Sequence, residues 1–351
     1  MIEMRSDTFT LPTQDMLAAM TRAALGDDVY GEDPTVNQLE ELAARSVGKP
    51  AACLMPSGTM ANLVALLAHV PRGGKVIVGS ESDIYLYEAG GASVVGGLVY
   101  EPVPTRPDGT LAPADLAAAW PPDPDDPQYA VPGLVCVENT HNRMGGQVLS
   151  EAYLEQLSGF ASGRGVPVHM DGARIFNGAV ASGVPAARIA GHADSVQFCL
   201  SKGLSAPIGS ILAGQADFIG RARRIRKMLG GGMRQAGVIA AAGLVALTTM
   251  IDRLAADHEH AAQLAKGLAD VPGIQIDPGT VTTNIVLFRV TAEGVDENAF
   301  LRAARQRGLA MGEFGHGRIR AVTHRGVSSA DVSGAVAVVA EVLREAGAPP
   351  R

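Results

Sequence analysis

The chain has 351 residues, 47% hydrophobic and 19% charged, a balance that excludes a disordered chain and fits a packed globule. Its 29 Lys and Arg against 36 Asp and Glu leave a formal charge of −7, which argues against a protein built to coat nucleic acid. One core rarely grows beyond about 250–300 residues, so a large domain with a smaller one is expected.

The first residues carry Glu3, Arg5 and Asp7 where a signal peptide needs an apolar stretch. No apolar run approaches the about 20 residues of a membrane span, and a cytoplasmic protein is expected. Ala51–Met55 is a short apolar run ending at Pro56-Ser57-Gly58-Thr59, and residues 60–69 follow with the spacing of a buried helix. His69 at its end would suit the helix dipole as an imidazolium. Further strand-like runs lie at Lys75–Gly79, 133–137, 166–170, 195–200 and 210–213, with helical stretches such as Glu151–Ser162 between them. Short buried strands alternating with helices predict an α/β fold with a mainly parallel sheet. Residues 104–109 and 120–133 are rich in Pro and Asp and read as surface connections. Cys53, Cys136 and Cys199 cannot pair completely and sit in apolar runs, as reduced, buried small hydrophobes would. The basic run from Arg221 to Lys227 reads as one solvated helix face. After a helix at 237–256 the pattern shifts to 274–276, 283–290, 297–307, 318–322 and 329–346, which predicts a small α+β domain. The division is placed near residue 250, giving domains 1–250 and 251–351. His192, His258, His260 and His316 show no partners, His324 reads as packing, and no set has metal-ligand spacing, so no metal is expected.

Ligands of open α/β sheets bind beyond the carboxyl ends of the strands, so the residues there come first. Ser57-Gly58-Thr59 stands between a strand and a helix, where N–H groups, the dipole and two hydroxyls can cradle a phosphate; a plain helix cap is the alternative. Asp171, closing an apolar strand, could pair with a ring cation, and Arg174 could hold an anionic substrate, unless the two simply pair with each other. Lys202 lies just past another buried strand, where partial desolvation favours the neutral amine that forms a Schiff base; a plain turn lysine is the alternative. Together a phosphate cradle, a carboxylate and a later lysine are the set that pyridoxal 5'-phosphate requires. There is no G-x-G-x-x-G, Walker A, G-x-S-x-G, C-x-x-C or H-E-x-x-H pattern; Ser46 to Lys49 fits S-x-x-K without that motif's companions.

Several ordered segments then carry a resemblance. They are Arg5-Ser6-Asp7-Thr8, the run Gly26 to Pro34, Pro56-Ser57-Gly58-Thr59-Met60 and Glu138-Asn139-Thr140-His141-Asn142. His169-Met170-Asp171-Gly172-Ala173-Arg174, Leu200-Ser201-Lys202-Gly203, the run Gly230 to Gln235, Arg318-Ile319-Arg320 and Thr323-His324 complete them. With these the sequence resembles the low-specificity L-threonine aldolases of the pyridoxal-phosphate, fold-type I, β-eliminating lyase group. The resemblance implies that Lys202 carries the cofactor, Asp171 binds its ring nitrogen, and Ser57, Gly58 and Thr59 hold its phosphate. It implies that Ser6, Arg174 and Arg320 grip the substrate carboxylate, with Arg174 also near the cofactor's phenolic oxygen and Tyr87 in the substrate-binding set. Family members are similar in being homotetramers with shared sites, so Tyr30 and Arg234 would be lent by a neighbour; a loop anchor and a helix-entry charge are the alternatives.

One position departs from the family. In Glu81-Ser82-Asp83-Ile84-Tyr85-Leu86-Tyr87-Glu88, Asp83 stands where the family has a histidine stacked over the cofactor. A carboxylate has no aromatic face and adds negative charge near an electron-rich centre. Asp83 could be the base, the proton could pass to His141 or a water, or the site could suit a substrate with a cationic or strongly hydrogen-bonding side chain. The expected reaction is retro-aldol cleavage of β-hydroxy-α-amino acids to glycine and an aldehyde. β-Elimination, racemisation or aldol transfer with the same cofactor stays open, as does a non-enzymatic oligomeric homologue.

Overall fold

The computed structural model describes residues 1–347. Seven strands form the large sheet: β1 Ala51–Met55, β2 Lys75–Gly79, β3 Val99–Val103, β4 Pro132–Glu138, β5 Val168–Asp171, β6 Ser195–Cys199 and β7 Ser210–Gly214. Their order is β1-β7-β6-β5-β4-β2-β3, and β2 to β6 pair in parallel. Only β7 runs against its neighbours β6 and β1. The reason is length. Residues 200–209 are too few for the crossover of a dozen or more that a parallel return requires. That short connection carries Lys202.

β6 and β7 are buried along their whole length, as a sheet covered on both faces demands. The edge strand β3 has no such apolar run. It contains Pro102, which an edge tolerates because no ladder donor is needed there.

The large core gathers Leu39, Ile77, Met170, Phe198 and Leu254 around this sheet. A second core joins Leu264, Phe288, Phe300, Ile319 and Val339 on a four-stranded antiparallel sheet. Met4 packs into this second core, and Ile2–Glu3 pairs in parallel with Leu309–Ala310. The first residues of the chain therefore reach the last hundred before the large sheet begins.

The helix expected over 237–256 is two helices, Gly237–Thr249 and Leu254–Ala269, bent by 71°. Ala246, Leu247, Met250 and Leu254 face the large core, whereas Ala261, Leu264 and Leu268 face the second. One straight helix could not serve both. Arg253, the N-cap of the second helix, pairs with Asp257 in its first turn. Among the described residues no single helix is long and apolar enough to cross a membrane.

The basic run on helix Ala216–Met228 is not one solvated face. Arg226 is buried, 2.9 Å from Asp28 Oδ2, and donates to the Leu54 carbonyl at 2.7 Å. Arg223 pairs with Glu40, so two of the cations serve as internal counter-ions. Arg221 remains exposed beside Asp217.

Candidate active site

The carboxyl ends of β1, β5 and β6, with the loop after β2, meet at a cavity of about 250 Å³. Its walls include Ser57, Gly58, Thr59, Asp83, Asp171 and Lys202. A wider cleft of about 580 Å³ lies between residues 28–31 and the basic helix, where Arg223, Arg224, Arg226 and Lys227 line it with Asp28.

Ser57 is the N-cap of helix Gly58–His69, its Oγ accepting from the Met60 N–H at 3.1 Å. The N–H groups of Gly58 and Thr59 fall in the first turn, which has no intrahelical acceptors. They face the cavity with the positive end of the dipole. A Cβ at Gly58 would lie 3.0 Å from Cys199 Sγ, so glycine lets the helix begin this close to the sheet.

Asp171 is buried at the end of β5. Its Oδ1 accepts from the Gln197 side-chain amide and, at 3.1 Å, from the Ala173 N–H. Among the described residues its Oδ2 accepts only from Asn62 Nδ2, at 2.9 Å. A carboxylate oxygen takes about two donors, so Oδ2 keeps one place for a further N–H. Burial pushes the Asp171 pKa up, the Lys202 ammonium pulls it down, and Asp83 pushes it up again.

Arg174 does not pair with Asp171. Its Nε and Nη2 donate to Asp7 Oδ2 and Oδ1, both at 2.7 Å, with both side chains out of water. Burial and the Arg174 guanidinium act oppositely on Asp7, and the guanidinium wins, holding the carboxyl well below its usual range. Arg320 has no salt-bridge partner among the described residues. Its Nη1 donates to Asn142 Oδ1 at 2.8 Å and its Nη2 to the Arg5 carbonyl at 3.0 Å, while Nε is buried without an acceptor among the described residues. Burial and the nearby Arg174 lower its pKa to about 10. Ser6 lies between Arg5 and Asp7, its Oγ accepting from the Thr8 N–H at 3.2 Å.

Asp83 lies on the cavity wall, both of its oxygens accepting from Asn142 Nδ2, at 3.0 and 3.2 Å. Asn142 thus joins Asp83 to Arg320. His141 is buried and not among the cavity's walls, and its Nδ1 has no hydrogen-bond partner among the described residues. Burial lowers its pKa to about 4. Glu138 accepts from the backbone N–H groups of Asp83 and Asn142, both at 2.8 Å. Burial, then Asp83 and Asp171, push Glu138 well above its usual pKa; burial and Asp171 do the same to Glu88, a wall residue. Burial and the neighbouring carboxylates thus favour the protonated form of Glu88 and Glu138.

Tyr87 lines the cavity and its hydroxyl accepts from Arg143. Tyr30 is 75% exposed in the wider cleft, and Arg234, exposed, pairs with Asp27 at 3.1 Å. Neither reaches the Lys202 cavity from within its own chain.

Asn62, Glu88, Gln197 and Asn142 went unassigned from sequence. Each is polar inside or beside an otherwise apolar element, a signal that the motifs overshadowed. His69 is also corrected. Burial lowers its pKa to about 4, its Nε2 bonds Ser195 Oγ at 2.7 Å, and its ring stacks on Phe218, so it is no imidazolium serving the dipole.

The sequence pattern of the β-eliminating lyase family matches residues 3–292. The chain is 45% identical over 337 residues to the low specificity L-threonine aldolase of Escherichia coli (strain K12), across 93% of this chain and 95% of that one. It is 42% identical over 338 residues to low-specificity L-threonine aldolase 1 of Arabidopsis thaliana, across 94% and 93%. The solved threonine aldolase of Leishmania major shares the fold, with a TM-score of 0.80 at 21% identity over 97% of this chain and 98% of that one.

Proposed function

Since the chain belongs to the β-eliminating lyase family, we propose that it is a pyridoxal-phosphate-dependent aldehyde-lyase, cleaving L-threonine, L-allo-threonine and related β-hydroxy-α-amino acids to glycine and an aldehyde. The observation that carries this is one cavity holding Lys202, a buried Asp171 with a spare acceptor site, and an open helix N-terminus. Those three groups fit the cofactor's aldehyde, ring nitrogen and phosphate. Bound there, pyridoxal phosphate supplies the aldehyde that the lysine amine takes up and a protonated ring that receives the electron pair of the breaking bond.

Lys202 offers the amine, Asp171 Oδ2 holds the proton on the ring nitrogen, and Gly58 and Thr59 donate to the phosphate beside Ser57. Arg320, a half-buried cation without an ion-pair partner among the described residues, takes the substrate carboxylate, with Ser6 close by on the segment whose Arg5 carbonyl it holds. Arg174, already neutralised by Asp7, braces this corner. Fixing the carboxylate would orient the substrate's Cα–Cβ bond for cleavage, which is the positioning part of catalysis. Asp83, on the wall, accepts the β-hydroxyl proton directly or through a water, and neutral His141 stays behind it. We place the chain in a cytoplasmic homotetramer, a dimer of dimers, in which the exposed Tyr30 and Arg234 serve a neighbouring site. Three free, buried cysteines support the compartment.

The test is release of glycine and aldehyde from L-threonine and L-allo-threonine side by side. Both products in equal amounts are expected. A protein that takes up the cofactor yet releases neither would refute the aldolase reading, and β-elimination, racemisation or aldol transfer at an Asp83-tuned site would replace it.

A further inference from the structure

Asn62 touches two carboxylates at once. Its Nδ2 donates to Asp171 Oδ2 at 2.9 Å and to Glu88 Oε1 at 2.8 Å. Its Oδ1 lies 3.0 Å from His169 Nε2, His169 Nδ1 lies 2.9 Å from Ser195 Oγ, and Ser195 Oγ lies 2.7 Å from His69 Nε2. Asn62, His169 and Ser195 are buried, and His69 at the outer end is half-buried.

Proton counting sets the direction of every bond. An ionised carboxylate only accepts, so Asn62 must turn its NH₂ to Asp171 and its oxygen to His169. That oxygen needs a donor, so His169 carries its proton on Nε2. Burial holds His169 at a pKa of about 3 and His69 at about 4, so each ring has a single N–H at neutral pH. His169 Nδ1 is therefore bare and accepts the Ser195 hydroxyl proton. Ser195 in turn accepts from His69 Nε2–H. The scaffold is rigid. Asn62 and His69 stand seven residues apart on helix Gly58–His69, two turns on one face, and His169 and Ser195 are register partners across β5 and β6.

We infer that His69, Ser195, His169 and Asn62 form a one-way hydrogen-bond chain whose task is to keep the free lone pair of Asp171 Oδ2 aimed at the cofactor's ring nitrogen. Asn62 is thus a positioning residue acting through Asp171, and the outer three hold its amide the right way round. If the chain breaks at Ser195, His169 is free to move its proton to Nδ1. The Asn62 oxygen then loses its donor, and the amide is held by its bonds to Asp171 and Glu88 alone. This inference rests on the cofactor reading above.

The test uses full-length protein labelled with ¹⁵N-histidine, with and without pyridoxal phosphate, and the His169 signal assigned by its loss in His169→Gln. Long-range ¹H–¹⁵N correlation should show His169 protonated on Nε2 and bare on Nδ1 in the wild type. In Ser195→Ala that signature should shift toward the Nδ1–H form and pyridoxal phosphate should bind about tenfold more weakly, with an unchanged circular dichroism spectrum. His69→Phe, which keeps the stack on Phe218, should show the same change to a smaller degree. An Nδ1–H tautomer in the wild type, or undiminished cofactor affinity in Ser195→Ala, overturns the inference. Failure of the wild type to bind the cofactor would instead overturn the proposed function, and the tautomer alone would then decide whether the chain exists.

Discussion

Asp7→Asn isolates the buried ion pair that braces the substrate corner. In the wild type, Asp7 receives two guanidinium bonds of 2.7 Å from Arg174 and one of 3.2 Å from Asn284 Nδ2. Asparagine keeps one oxygen but turns an NH₂ against a guanidinium N–H, and it leaves a buried cation with no anion. Breaking such a pair from one side costs about 3–5 kcal/mol. Unfolding entropy of about 2.1 cal/mol/K per residue over 351 residues is about 0.7 kcal/mol per degree, so Tm should fall by about 4–7 °C. Because the folded pKa of Asp7 is depressed, its contribution is complete above the unfolded carboxylate range and lost as pH falls toward the folded value. The Tm gap between wild type and variant should therefore narrow on acidification below about pH 4. Scanning calorimetry at several pH values checks both. A variant melting within about 1 °C of wild type at neutral pH, where about 4–7 °C is expected, would refute the view that Arg174 depends on Asp7 for its charge balance.

Lys202→Ala should abolish both turnover and the borohydride-reducible linkage of the cofactor; catalysis at a normal rate would sink the assignment. Asp83→Asn should lower kcat by about 10²–10⁴-fold if Asp83 takes the β-hydroxyl proton, whereas His141→Ala should change kcat little, and the reverse pattern would return the proton to His141. Gly58→Ala should weaken cofactor binding by roughly tenfold, since the new Cβ meets Cys199 Sγ at 3.0 Å; dialysis against a chelating amine followed by titration measures it. His141 and His258, with pKa values lowered by burial to about 4, bind protons only when unfolded between that value and about 6.5. Urea stability should thus fall from pH 6.5 to 5, and His141→Gln should flatten that slope by removing one such site.

The sequence by itself determined the alternation of strands and helices, because strands covered on both faces are rich in apolar residues, as β1, β2, β4 and β7 are, while β5 and β6 mix apolar residues with His169, Asp171, Ser195 and Gln197. It also placed Ser57, Asp171 and Lys202 at strand ends, where the fold class puts ligands. Local pattern could not show the edge strand β3, whose mixed residues answer to only one neighbour. Nor could it show the bend at residues 250–253, which exists only because two cores compete for one apolar stretch. Pairings across large sequence distances were likewise beyond it. Asp7 meets Arg174 167 residues away, and Asn62 meets Asp171 109 residues away. Spacing along a chain encodes which face of an element a side chain occupies, but not which other face will arrive against it. Partner choice, and with it the charge state of Glu88, Glu138 and the buried histidines, is set when packing removes water and leaves each polar group only the neighbours that the tertiary fold supplies.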